Sequence, residues 1–85
     1  MAARIGEWRA LLDGVTERHV LTNGLRLVFG ADAPLGEIAR LAAAEYACCP
    51  FFGFAITVDA RGVALEVTAP AEGRVLLESV FGIAA

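Results

Sequence analysis

Large apolar residues recur along the chain at two different spacings, and the spacing switches four times. Ile5, Trp8, Leu11 and Leu12 share one side of a helical wheel, with Arg4, Glu7 and Arg9 on other faces. This predicts a helix over 3–13, stopped by Gly14. A hairpin is predicted next, because Asn23-Gly24 is the strongest two-residue turn signal. That turn sets Thr22 opposite Leu25, Val20 opposite Leu27 and Arg18 opposite Phe29. The better core face is then Val20, Leu25, Leu27 and Phe29, and the other face holds His19, Leu21, Arg26 and Val28. Helical spacing returns from Asp32 or Ala33, with Pro34 in the first turn, where a missing N–H costs nothing. Leu35, Ile38, Leu41, Ala42, Tyr46 and Cys49 form its apolar stripe, and Glu37, Arg40 and Ala44 lie away from it. Pro50 biases Cys49 out of helical geometry, which ends this helix near Cys48.

Period two then resumes. Phe54, Ile56 and Val58 alternate with Ala55 and Thr57; after a turn at 59–62, Val63, Leu65 and Val67 alternate with Ala64, Glu66 and Thr68. Pro70 opens a last helix over about 71–82, apolar at Leu76, Leu77, Val80 and Phe81 and closed by Gly82. The order is α-ββ-α-ββ-α. It predicts an α+β fold: a four-stranded antiparallel sheet with helices packed on one face. Residues 1–85 read as a single domain, in which two hairpin–helix units, about 15–49 and 54–82, follow an N-terminal helix. Gly24 and Gly62 occupy equivalent turn positions 38 residues apart, which marks a structural quasi-repeat.

Composition narrows the function classes. The chain is 58% hydrophobic with mean hydropathy +0.63, more than an average soluble domain carries. The excess points to a dense core, a second copy or a partner domain. The opposite sheet face, with Leu21, Val28, Ala55, Thr57 and Ala64, is apolar enough to predict a homodimer surface. No uncharged run is long enough to span a bilayer and no signal segment is recognisable, so a cytoplasmic protein without a membrane partner is expected. Net charge is −3 and the seven basic residues, all Arg, are scattered, which argues against direct nucleic-acid binding.

Chemistry concentrates at Cys48 and Cys49, the only cysteines, one turn past Glu45. In a reducing compartment they are expected as thiols. A helix C-terminus and a nearby carboxylate both disfavour a thiolate, so a redox or nucleophilic role ranks last and no enzyme activity is expected. A bound cation reverses that logic, since it would welcome two thiolates and a carboxylate. Against this stands simple packing, because free cysteine is among the most buried residue types. Glu45 lies inside the apolar stripe and needs a partner there, namely a metal, an Arg or a backbone N–H, unless the stripe frays and it reaches water. His19, the only histidine, falls on the face away from the core, and nothing ties it to the cysteines. Trp8, Tyr46, Phe51 and Phe52 read as core. No glycine-rich phosphate loop, CxxC, His-Glu zinc motif or Ser-His-Asp set is present.

The segments Arg4-Ile5-Gly6-Glu7-Trp8-Arg9-Ala10-Leu11-Leu12, Ala44-Glu45-Tyr46-Ala47-Cys48-Cys49-Pro50-Phe51-Phe52 and Gly62-Val63-Ala64-Leu65-Glu66-Val67-Thr68-Ala69-Pro70, with the closing Val80-Phe81-Gly82, resemble the C-terminal domain of heavy-metal-responsive transcriptional regulators of the mercury-resistance regulator (MerR) type. The resemblance spans nearly the whole chain, and its specific core is Glu-x-x-Cys-Cys-Pro-Phe. It implies a metal-binding or ligand-sensing module with Glu45, Cys48 and Cys49 as the matched metal positions. The winged-helix DNA-binding domain and long dimerisation helix of those regulators are missing from the segment. The expectation is an effector-like domain, or a free-standing relative, that binds a soft ion such as Hg(II), Cu(I) or Zn(II), with a second protomer completing the shell. The alternative is a structural or dimerisation module with both cysteines buried and reduced.

Overall fold

In a computed structural model the chain is described over residues 2–30 and 32–81, with side chains from Ile5 onward. Helix α1 (Ala2–Leu12) leads into strands β1 (Val15–Leu21) and β2 (Gly24–Phe29), then helix α2 (Leu35–Cys48). Strands β3 (Gly53–Asp59) and β4 (Gly62–Thr68) follow, then a 3-10 turn (Ala71–Gly73) and helix α3 (Arg74–Phe81). All four strands form one antiparallel sheet in the order β1-β2-β4-β3. The expected α+β fold is therefore the one adopted. Gly82, expected to close the last helix, lies outside the described residues.

The sheet buries one face under the helices. Leu27 and Phe29 of β2 and Leu65 and Val67 of β4 meet Trp8, Leu11 and Leu12 of α1, Ile38 and Leu41 of α2, and Leu77 and Phe81 of α3. Aromatic rings knit these layers. Trp8 lies edge-on to Phe81 with centroids 4.7 Å apart and stacks over Phe54 at 6.4 Å. Phe81 also meets Phe52 and Phe54 at right-angled geometries that suit the ring quadrupoles. Arg18, on the helix side of β1, donates from Nη1 to the carbonyl oxygen of Phe81 at 2.8 Å. It places a cation where α3 leaves carbonyls unsatisfied.

The first hairpin departs from the expected register. Val20 pairs with Leu25, Arg18 with Leu27, and Leu21 with Gly24, so the turn residues are Thr22-Asn23 and a bulge separates Val15 from Glu17. Gly24 explains the shift. It sits inside the sheet opposite Thr68, where a Cβ would come within 1.9 Å of the Val67 carbonyl oxygen. Glycine is required there by the close approach of β2 to β4, and the turn forms one residue earlier. The slip is two positions, so every side chain keeps its side of the sheet, but Val20, expected in the core, is 86% exposed on the edge strand. The second hairpin turns as expected, with Asp59 paired to Gly62, whose φ of 103° suits glycine. Asp59 accepts from the Arg61 backbone N–H at 2.8 Å and from its guanidinium, and these bonds bring its carboxyl down to about 2.

Gly24 and Gly62 both open the second strand of their hairpins, and Leu27 pairs directly with Leu65. Those two leucines are also 38 positions apart, so the quasi-repeat is a pseudo-two-fold axis passing between them.

Candidate functional site

The thiol pair closes α2. Ile38, Leu41, Ala42 and Glu45 are the buried positions of that helix, and Tyr46 and Leu35, expected in the stripe, are respectively 54% and 43% exposed. The buried line therefore runs 38-41-45 toward Cys48 and Cys49, rotated away from Tyr46. Glu45 sets this rotation. Its carboxylate is 3% exposed and its Oε1 accepts a hydrogen bond from the indole Nε1–H of Trp8 at 3.0 Å. One partner of the buried carboxylate is thus an indole. The sequence showed that a carboxylate in the stripe needs a partner, but an indole was not among those expected, and the 37 positions between Glu45 and Trp8 hid the match.

Cys48 is the last residue of α2 and is exposed; Cys49 caps the helix with φ −130° and ψ 78° and is half-buried against the core. The Cys49 N–H donates to the Glu45 carbonyl oxygen at 2.7 Å, and the Phe52 N–H to the Cys49 carbonyl oxygen at 3.1 Å. Pro50 and Phe51 lie between these bonds, so a tight turn follows the helix directly, as Pro50 requires. Phe52, 1% exposed, anchors the turn, while Phe51, read as core, is 44% exposed. Leaving helical geometry frees Cys49 from the roughly 100° divergence of adjacent helical side chains. Both cysteines are free thiols. Burial pushes the Cys49 thiol above its ordinary range, and hydrogen bonding and charge at Cys48, then at Glu45, push it the same way. Cys49 thus lies near both Cys48 and Glu45, though the three are not grouped as a metal ion would need, and its surroundings favour the protonated thiol.

His19 lies elsewhere. It is on the outer sheet face, where its Nε2 stands 2.9 Å from Glu17 Oε1. Arg26 and Glu66 fall on that face as expected, and the structure joins them. Arg26, 8% exposed, donates from Nη1 to Glu66 Oε2 at 2.8 Å and to Thr57 Oγ1 at 3.3 Å. Arg26 and Glu66 are direct cross-strand partners, so the ion pair follows once β2 and β4 are neighbours. A depression of about 540 Å³ there is lined by Glu17, His19, Arg26, Val28 and Arg61. Arg26 and Arg61 each lie against a carboxylate, and Ala64 and Val28 are buried beneath. Of the apolar surface expected on this side, Val28 and Ala64 are buried, Leu21 and Thr57 are half-buried and Ala55 is exposed.

Among the described residues no three His, Cys, Asp or Glu side chains are grouped as a metal ion would need, and no helix is long and apolar enough to cross a membrane. Comparison with protein-family models, curated proteins and solved structures found no match.

Proposed function

We propose that the domain binds a soft, thiophilic ion or metalloid through Cys48 and Cys49. One observation carries this reading: adjacent free thiols, one exposed and one half-buried within reach of the first, where the chain leaves α2. The donor set is two thiols. Zn(II) in a structural site takes four ligands, so one chain does not satisfy it. Ions content with two sulfurs, such as Hg(II) or Cu(I), and thiol-seeking arsenite suit the pair better. When bound, such an ion would displace the thiol protons and supply the positive charge that this helix end lacks. Glu45 enters as a positioning residue. Its carboxylate holds α2 against Trp8, and the turn it fixes sets Cys49 beside Cys48. The resemblance to metal-responsive regulators supports the same reading.

The test is titration of the reduced protein with Hg(II), Cu(I), arsenite and Zn(II), following thiolate charge-transfer absorption. Saturable binding of one equivalent per chain, lost in Cys48→Ser and Cys49→Ser, is the expected result. A second reading, a packing or dimerisation module, draws on the contact of Cys49 with the core. It replaces the first if neither thiol takes up any of these reagents before the protein unfolds.

A further inference from the structure

The two edges of the sheet differ. β1 carries Glu17, Arg18 and His19 and is broken by a bulge, devices that discourage another strand from adding. β3 has almost none of them: Gly53 to Val58 contains no charge, no proline and no bulge, and its one charge, Asp59, stands at the turn. Its outermost apolar side chains stay uncovered, with Ile56 36% and Val58 66% exposed. A groove of about 530 Å³ runs beside it, lined by Ala39, Ala43 and Tyr46 of α2 and by Phe54 and Ile56 of β3.

We propose that β3 is the interface through which two copies of this chain associate, by antiparallel pairing of β3 with β3 about a two-fold axis at Ile56. Three properties point to a second copy as the occupant. The strand is self-complementary: in this register Ile56 faces its own copy, Phe54 faces Val58 of the partner subunit, and Ala55 faces Thr57 of the partner subunit. All three large side chains of β3 share the helix side of the sheet, so the apolar strips of the two copies join on one face. No like charges meet, because Asp59 falls opposite Gly53 and is already engaged by Arg61. The groove also lies on that helix side, where Ile56 and Val58 of the partner subunit would enter, covering Tyr46. The result is one continuous sheet of eight strands whose remaining edges are the two protected β1 strands. This interface is independent of the thiol reading.

The experiment is sedimentation equilibrium of the reduced full chain across a concentration series. A dimer is expected, and Ile56→Lys, which sets two ammonium groups face to face across the axis, should weaken it roughly tenfold or more. Circular dichroism checks that the variant folds; Val58→Lys, at a more exposed site, serves if it does not. Mixing Ile56→Lys with Ile56→Glu chains should restore the dimer. Val20→Lys, on β1 where Val20 is 86% exposed, should leave the mass unchanged. The proposal falls if the wild-type chain is monomeric throughout. It falls equally if Val20→Lys dissociates the dimer as Val58→Lys does, or if the folded Ile56 variants stay dimeric separately.

Discussion

Glu45 and Trp8 share a hydrogen bond that neither side chain can replace with water. Glu45→Ala leaves the indole N–H buried without its acceptor and is expected to destabilise the protein by about 1–3 kcal/mol in urea unfolding, whereas Glu45→Gln retains an acceptor and should cost less. Four residues on, the two thiols should separate by exposure in timed alkylation followed by mass spectrometry. Cys48 is expected to react first, and Cys49 only slowly at neutral pH, because its surroundings hold the proton. The sign for stability follows. A thiol whose pKa is raised by folding contributes fully below its ordinary range and loses that contribution as pH rises through the raised value. Stability of the reduced wild type should therefore fall on the alkaline side more steeply than that of Cys49→Ala, measured by urea midpoints across that range. At this scale the sequence was half legible. The need of Glu45 for a partner followed from its place in the stripe, but the indole that meets that need comes from a helix 37 positions earlier, beyond what local spacing encodes.

Elements were more legible than residues, because each rests on a repeating spacing. Both hairpins and all three helices follow from period two and helical spacing, and the second turn falls where Asp59 and Gly62 place it. The first turn did not, although Asn23-Gly24 is the stronger signal. A turn preference of this kind is local, while the demand on Gly24 comes from β4. Substituting Gly24→Ala drives a methyl group into the backbone carbonyl of Val67 and is expected to cost at least about 3 kcal/mol. Gly6, in mid-helix on α1, has nothing within 4 Å of its missing Cβ. Gly6→Ala should instead stabilise by about 0.5–1 kcal/mol through helix propensity. Thermal and urea unfolding of the pair distinguishes a glycine needed for close approach from one that is dispensable.

Over the whole molecule, the aromatic cluster joins elements far apart in the chain: Trp8 from α1, Phe52 and Phe54 from the second hairpin and its approach, and Phe81 from α3. Since these rings share one core, unfolding is expected to be a single transition. Fluorescence of Trp8, the only tryptophan, and far-ultraviolet circular dichroism should give the same midpoint; an earlier fluorescence change would show that α1 leaves first. The four-stranded antiparallel sheet was legible in the hairpin order, and the ion pair on its outer face was not, because Arg26 and Glu66 become neighbours only across the joining of the hairpins. That joining has a wider meaning. An axis through the Leu27–Leu65 pair gives the two hairpin–helix units the relation that two subunits have in a symmetric dimer, here within one chain. α1 has no counterpart in such a scheme. Its tryptophan gives its N–H to the first half, at Glu45, and its ring to the second, at Phe54 and Phe81. α1 is thus a clasp that makes two symmetric halves unequal, and the first of those halves carries both thiols.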